Sequence, residues 1–342
     1  MTLRGDGTAY LPGLIYCIVI GLESYAVAPL LGLRNAYIVA LLTGMLMTKF
    51  FENLRLTPGI NFSRYQLMTG TVGLLGLTAG RWTACYLVAG ILITVVIILP
   101  LHFLGRMLGS RLRVDKHLSS LITAGIALDG TPTIVEKASR MDVDELEIQA
   151  AIKCTLLMGS VAAVIYALFI GSRSVYGFED DIIPLWIGTS LPDAAFLMAA
   201  GGDFGIRGVT VSLAVFSVRS ILGLFILDLS FSKKTSYGRP ISTTLRSHIS
   251  SLGTIFLLGW IVKMIFDGLL TPLSSFQVYD EIANLVILPF LILTVVAGAG
   301  SKVDLNRLKG MPENLVLYTL CLLIIQGLLS IALAGLASFL FY

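Results

Sequence analysis

The chain has 342 residues, of which 56% are hydrophobic and 13% are charged, and its net charge is +3. Soluble domains carry about 25% charged residues, so this composition excludes an ordinary soluble protein, and we expect no nucleic-acid partner. Four isolated cysteines in apolar stretches, Cys17, Cys85, Cys154 and Cys321, argue against a disulfide framework or a zinc site.

Crossing the hydrocarbon core of a membrane takes about 20 mostly apolar residues. On that criterion the sequence predicts an all-α membrane protein, a single polytopic domain over 1–342 with about eleven transmembrane helices. The predicted spans are, in chain order, 12–31, 36–51, 62–80, 83–104, 117–137, 148–171, 182–202, 207–229, 248–270, 281–301 and 314–341.

The fifth span contains an interruption, because Asp129, Gly130, Thr131 and Pro132 stand in its middle. Pro132 lacks an N–H and clashes with the preceding turn, and Gly130 weakens a helix further. Broken backbone at membrane depth must be buried in protein or line a wet cavity. The sequence therefore predicts a broken helix at the centre of a transport site.

Eleven spans divide into one leading helix and two five-helix repeats, over 36–171 and 182–342. A unit with an odd number of spans is inverted when it is repeated in tandem, so we expect inverted repeats with crossed broken helices. Span ten is then the counterpart of span five, and it carries Pro289, Gly298 and Gly300. Paired interruptions of this kind indicate a transport site at a repeat interface.

Basic residues are concentrated in alternate loops, which indicates the cytoplasmic side. The loop after span two, for example, holds Lys49, Arg55 and Arg64. We therefore expect the cytoplasmic (inner) membrane, with the N-terminus inside and the C-terminus outside. Two segments disagree: the acidic segment 173–181 falls inside and the charge-dense segment 137–147 falls outside. This leaves open a re-entrant or miscounted span.

Three ionisable residues lie near the middle of spans, namely Asp129, Asp193 and Arg219. An ionised side chain there costs about 3 kcal/mol on insertion scales, so it indicates function by default. We expect Arg219 to bind an anion or to act as a counter-ion, with a purely structural partner as the alternative. Asp129 and Asp193 are predicted to bind a coupling proton or Na+. A cap on the second half-helix is a compatible role for Asp129.

The half-helix after Gly130 offers unpaired N–H groups and its positive dipole end, which favour an anionic group. Nearby threonine and serine hydroxyls are candidate ligands, although back-bonding to a helix carbonyl is the alternative for each. The predicted substrate-binding residues are Gly130, Thr131, Thr133, Thr189, Ser190, Arg219 and Gly298.

Four stretches carry a family resemblance. One is VDKHLSSLITAGIALDG, which resembles a Lys-His pair leading into a Gly-rich broken helix. Another is LWIGTSLPDAAFLMAAGG, which resembles a Gly-x-x-x-His-Glu-x-x-Gln-x-x-x-Ala-Gly motif. The stretches FSVRSILGLFIL and AGAGSKVDLNRLKG are similar to the following helix and to the end of a second crossing helix. On these motifs the chain, from about 36 to 310, resembles the YeiH-type sulfate exporter family, within the superfamily of bile-acid, arsenite and auxin carriers.

The resemblance implies an anion exporter with inverted repeats and crossed half-helices. The chain departs from the family pattern at several polar positions. These are Pro192 and Asp193 in place of His-Glu, Phe196 in place of Gln, Asp129 in place of a cysteine, and Thr69 and Thr78 in place of arginines.

The sequence thus predicts a secondary active transporter that exports a small anionic or zwitterionic solute by alternating access. We expect coupling to protons or Na+, no cofactor, and a homodimer as one possible assembly in the lipid bilayer. The alternatives are an intramembrane enzyme acting on a lipid-linked substrate, with Asp129 and Asp193 as an acid–base pair, and a passive anion channel. No nucleotide-binding or hydrolase motif is present in the sequence, so we expect no enzyme and no ATP-driven step.

Overall fold

The computed structural model describes residues 9–47, 56–171, 182–231, 252–269, 281–303 and 310–341. Within these ranges the chain forms helices and short connections without a strand. Six of the described helical segments are long and apolar enough to cross a membrane. The prediction of an all-α, multi-pass membrane protein is therefore confirmed.

Fourteen α-helices make up the described ranges. The first seven are α1 Leu11–Leu30, α2 Ala36–Met47, α3 Thr57–Phe62, α4 Met68–Thr78, α5 Thr83–Arg111, α6 Lys116–Ala127 and α7 Thr131–Ala138. The others are α8 Glu145–Gly171, α9 Ile182–Ser190, α10 Ala194–Gly201, α11 Gly205–Phe231, α12 Leu252–Leu269, α13 Leu288–Gly300 and α14 Glu313–Phe341. Short π-helical turns, Ser63–Leu67 and Ala283–Ile287, precede α4 and α13, and a 3₁₀ turn, Gly202–Phe204, precedes α11.

The interruption predicted in the fifth span is present between α6 and α7. Asp115 begins α6 by accepting a hydrogen bond from the backbone N–H of His117 at 2.7 Å, which lowers the pKa of the Asp115 carboxyl. The helix ends at Ala127, and Gly130 adopts a φ of 55°, which favours glycine. Pro132 lies in the first turn of α7, where its missing N–H is no loss.

The second half of this segment folds back along the first. The Lys137 Nζ in α7 donates a hydrogen bond to the Ser120 carbonyl in α6 at 2.9 Å. A Cβ added at Gly125 would lie 2.7 Å from the Ile134 side chain. Residues 17 apart on a helix that continued in one direction would be separated by about 25 Å. Residues 116–138 therefore form a re-entrant hairpin, called hairpin one below.

The segment containing α9 and α10 has the same form. The Ser212 Oγ donates a hydrogen bond to the Pro184 carbonyl, near the start of α9, at 2.9 Å. A Cβ added at Gly201, the last residue of α10, would lie 3.5 Å from the same Ser212 Oγ. Both ends of the segment thus lie beside one residue of α11. Residues 182–201 therefore form a second re-entrant hairpin, called hairpin two.

These hairpins change the predicted topology. Predicted spans 117–137 and 182–202 each enter and leave at the same end of the helix bundle, so two of the eleven predicted crossings are replaced by hairpins as far as the described ranges show. Both ends of hairpin one then lie on the same side of the membrane as the end of α5. The charge-dense segment 137–147 therefore no longer contradicts the orientation predicted from the basic loops. The acidic segment 173–181 lies outside the described residues.

The second interruption is not where the repeat argument placed it. Span ten contains the continuous helix α13, with Pro289 in its first turn directly after a π-helical turn. The second break lies in span seven instead, between Ser190 and Ala194. The interruption predicted in span ten is therefore wrong, because hydropathy did not distinguish a proline that starts a helix from one that interrupts it. The division into repeats 36–171 and 182–342 stays a prediction.

The helices pack in two groups. One contains α1 to α4, α12 and α13, and the other contains α5, α8, α11, α14 and both hairpins. Close backbone approach joins α4 to α12, since a Cβ added at Gly259 would lie 2.6 Å from the Gly73 carbonyl oxygen. Between the two groups, α12 packs against α11, and α10 of hairpin two contacts α2 and α13. Hairpin two therefore lies at the boundary between the two groups.

We expect cysteine labelling to separate a hairpin from a crossing. In a variant without the native cysteines, Asp142→Cys after hairpin one should react with a membrane-impermeant maleimide from the same side as Ser110→Cys at the end of α5. Arg81→Cys, at the opposite end of α5, is the control for the other side. Labelling of Asp142→Cys together with Arg81→Cys would contradict the hairpin and restore a crossing.

Candidate functional site

The tips of the two hairpins contact each other inside the bundle. A Cβ added at Gly130, in hairpin one, would collide with the Pro192 carbonyl oxygen in hairpin two. Pro192 is backed by α8, because a Cβ added at Gly159 would lie 3.0 Å from the Pro192 Cγ. Only glycine combines this close approach with the positive φ of Gly130. The break predicted at Gly130 thus meets a second break at Pro192.

Asp129 lies at the tip of hairpin one and is 6% exposed. Its Oδ2 accepts a hydrogen bond from the Ser220 hydroxyl of α11 at 2.6 Å, and its backbone N–H donates to the Thr133 Oγ1 at 3.2 Å. Gly130 is the N-cap residue of α7, and among the described residues no backbone N–H of α7 donates to the Asp129 carboxylate, so the capping role considered for Asp129 is wrong. The described residues place no cation within ion-pair distance of its carboxylate.

Asp193 lies at the tip of hairpin two and has two partners. Its Oδ1 accepts the Ala195 N–H at 2.9 Å, which caps α10. Its Oδ2 forms an ion pair with the Arg64 Nη2 at 3.4 Å. Arg64 is 4% exposed and lies in the π-helical turn before α4. The ion pair therefore links the first helix group to hairpin two.

Arg219 is buried on α11, with 1% exposure. Its Nη2 donates to the Leu191 carbonyl, which is left without a helical partner where α9 ends. Gln326 of α14 serves the same helix end, since its Nε2 donates to the Thr189 carbonyl at 2.9 Å. The Nε and Nη1 of Arg219 have no hydrogen-bond partner among the described residues. Arg219 thus stabilises the interruption in hairpin two, and its Nε and Nη1 groups are still available as hydrogen-bond donors.

The four predicted hydroxyl ligands differ in availability. Thr189 and Ser190 donate to carbonyls of their own helix, Leu185 at 2.9 Å and Trp186 at 2.6 Å, which is the back-bonding alternative. Thr133 accepts from the Asp129 backbone, as described above. The Thr131 Oγ1 is buried and has no partner in the described part of the chain. Its role as a ligand stays a prediction, as do those of the other three.

Gly298 lies away from the hairpin tips, in a helix contact of the first group. A Cβ added there would lie 2.8 Å from the Ser63 Oγ, which donates to the Thr294 carbonyl of α13 at 2.8 Å. The structure does not bring Gly298 into contact with the breaks. Its assignment to substrate binding stays a prediction without a contact that supports it.

Sequence reasoning missed three residues of this cluster. Arg64 was assigned to a loop, which is wrong because it is buried and ion-paired. The available signal was its position inside predicted span 62–80, where a charge is expensive. Ser220 and Gln326 carry no sequence signal of their own, since they join the site only through the folding back of the hairpins.

The site therefore joins two carboxylates, of Asp129, which is buried, and of Asp193, which is 12% exposed, with two buried guanidinium groups around the ends of four half-helices. Asp129 and Arg219 interact electrostatically without a direct ion pair, whereas Asp193 and Arg64 are paired. Buried donors without partners carry a desolvation penalty that a bound acceptor relieves. The arrangement is suited to binding a small anion reversibly.

Together the helical bundle and its buried, charged hairpin tips define a multi-pass α-helical membrane protein. The chain belongs to the family described as Conserved hypothetical protein 698, whose family model matches residues 12–318.

Curated relatives have similar length. A UPF0324 membrane protein of Streptococcus agalactiae is 24% identical over 316 residues, covering 87% of this chain and 89% of that protein. Another from Bartonella henselae is 26% identical, covering 94% and 91%. No solved structure matches the chain. These matches support the predicted family, whereas the wider superfamily and sulfate export stay predictions.

We expect the Arg64–Asp193 pair to be strongly coupled. Arg64→Met should lower the free energy of unfolding by about 3 kcal/mol, because it leaves the largely buried Asp193 carboxylate without its partner. Asp193→Asn should lower the free energy of unfolding much less in the Arg64→Met variant than in the wild-type protein. A double-mutant cycle measured by chemical unfolding in detergent checks this. The partly exposed i,i+4 pair Glu136–Arg140 is the control and should couple by only about 0.3–0.5 kcal/mol, the range typical of such helix pairs. Additive effects at Arg64 and Asp193 would contradict the pairing.

Proposed function

We propose that the protein is a secondary active transporter of the cytoplasmic membrane, which exports a small anionic or zwitterionic solute by alternating access. Coupling is to protons or Na+. The observation that carries the proposal is the contact between two re-entrant hairpins, with the unused donors of buried Arg219 beside it.

The two re-entrant hairpins support a transport function because lipid does not tolerate an interrupted helix. Interrupted helices at membrane depth occur where they are buried in protein or line a solute pathway. In transporters, such breaks put helix ends and freed carbonyl groups around the substrate and its coupling ion. Here the break in hairpin one brings Asp129 to the site, and the break in hairpin two brings Asp193.

The solute's negative group is assigned to Arg219. Its Nε and Nη1 are the buried guanidinium donors without a partner among the described residues. The N-terminus of α7, which has no side-chain cap, adds a favourable dipole at the same interruption. Thr131 contributes a hydroxyl.

The two helix groups supply the means of alternating access. The first group touches the site through Arg64, and the hairpins belong to the second. A relative movement of the groups would break or remake the Arg64–Asp193 pair while the hairpins keep the solute between their tips.

An enzyme is less well supported. An acid–base pair needs two carboxyl groups free to exchange protons with a substrate. Asp193 is engaged by a helix cap and by Arg64 at the same time. A passive channel would conduct without saturation, so transport kinetics distinguish it from a carrier.

Ligand-dependent thermal stability tests the proposal. The purified protein is heated with sulfate, nitrate, acetate, isethionate or zwitterionic taurine, at concentrations up to 100 mM. A ligand at 100 times its Kd stabilises the folded state by about 2.7 kcal/mol, so at least one solute should raise the Tm. That solute should then show saturable counterflow in proteoliposomes. Absence of stabilisation by every solute, or flux that never saturates, would overturn the proposal.

A further inference from the structure

The charges at the hairpin tips cancel. Asp129 and Asp193 contribute two negative charges, and Arg64 and Arg219 contribute two positive charges when all four are ionised. Each is buried or nearly so. Uncompensated charge in the membrane interior is expensive, so a neutral cluster is the stable state.

A bound anion disturbs this balance. A monovalent anion at the unused donors of Arg219 leaves the cluster with one negative charge in excess. Uptake of one proton by a carboxylate restores neutrality. Anion binding and protonation are thereby linked, and each favours the other.

The two carboxylates are not equivalent as proton acceptors. Protonation of Asp193 would weaken its ion pair with Arg64 and its cap on α10. Asp129 has one side-chain partner, the Ser220 hydroxyl, which can turn and accept a hydrogen bond from a protonated carboxyl. Protonation of Asp129 therefore disrupts less of the structure.

Two charged groups among the described residues act on Asp129. Arg219 of α11 and Asp193 of hairpin two are the charged groups that act on it. From α8, the Tyr166 hydroxyl lies near enough to act on Arg219.

Other titratable groups lie at the far end of hairpin one, away from its tip. These are His102 and Arg106 of α5, Lys137 of α7 and Tyr318 of α14.

We propose that one proton enters the site with each monovalent anion, and that the Asp129 carboxylate receives it. This inference rests on the proposed transport function and names its substrate class, a small monovalent anion carried together with a proton. The transported unit is then electrically neutral, so the membrane potential does not oppose it, and export is driven by the outward gradient of the solute, which carries the proton out against its own gradient. No covalent step is involved: the proton comes from solvent, and it leaves with the anion on the other side.

Calorimetry on the full-length protein in detergent tests the stoichiometry. Nitrate, acetate and isethionate are titrated between pH 6 and pH 9 in pairs of buffers with different ionisation enthalpies, which gives the protons taken up per anion. Uptake should approach one proton per anion at high pH, and the Kd should then rise about tenfold per pH unit. Uptake of no proton at any pH, with a constant Kd, would overturn the proposal.

Three variants locate the proton. Asp129→Asn should bind the anion with a Kd that no longer depends on pH and with no proton uptake. Glu136→Gln, which changes another carboxylate of hairpin one, should keep the wild-type uptake. Ser220→Ala removes the hydrogen bond to Asp129 and should move the pH at which the Kd begins to rise. If Asp129→Asn does not fold, the shift measured in Ser220→Ala still tests whether Asp129 receives the proton.

The outcomes separate the two proposals. If none of the solutes raises the Tm, the proposed transport function is overturned, and this inference is overturned with it. Stabilisation by sulfate alone leaves a transporter and overturns the monovalent assignment. Binding of a monovalent anion that depends on Na+ and not on pH likewise leaves the transporter and overturns the proton.

Discussion

Arg219→Ala should abolish ligand-dependent stabilisation and reduce counterflow by at least 100-fold. The side chain is fully buried, and its Nη2 already holds the Leu191 carbonyl. Each hydrogen bond to a charged group contributes about 1.5–3 kcal/mol. Loss of two such contacts to a bound anion corresponds to a 100-fold or larger rise in Kd, since 1.4 kcal/mol is a tenfold change.

A matched series separates binding from folding. Arg219→Lys keeps the charge but loses the planar set of donors, so it should retain part of the affinity. Arg140→Gln, which changes an arginine paired with Glu136 outside the tip cluster, should bind like the wild type. Gel filtration and the ligand-free Tm report on folding. A folded Arg219→Ala variant that still binds anions normally would make Arg219 a purely structural residue.

Gly130→Ala should separate the hairpin tips. The added Cβ would collide with the Pro192 carbonyl, and the φ of 55° disfavours any residue other than glycine. Backbone strain of this kind costs about 1–3 kcal/mol, and the collision adds to it. We expect a clear loss of stability together with loss of transport.

Gly32→Ala is the control for backbone strain alone. Gly32 also has a positive φ, of 69°, but a Cβ added there meets nothing within 4 Å. It should cost about 1–2 kcal/mol, the usual penalty of the left-handed conformation, and leave transport intact. The difference between the two variants, measured by unfolding and by counterflow, reports the contact between the tips. Equal effects would show that the tips do not depend on each other.

Much of the fold could be predicted from composition and hydropathy. Long apolar stretches require helices in lipid, because each helix satisfies its own backbone groups. The interruption at Asp129 and Gly130 was also predictable, since glycine and proline act locally on the backbone. Buried charge at Asp129, Asp193 and Arg219 followed from their depth in apolar stretches.

The sequence by itself thus determined the class of protein, the helical segments, one break and three of the four charged residues of the site. It did not determine whether an apolar segment of about 20 residues crosses the membrane or turns back, because both paths bury the same residues. Only the tertiary structure decided that, through contacts between distant positions such as Lys137 with Ser120 and Pro184 with Ser212. The same contacts brought Pro192 against Gly130 and Arg64 against Asp193. Long-range pairing of this kind depends on the packing of whole helices, which local sequence patterns do not encode.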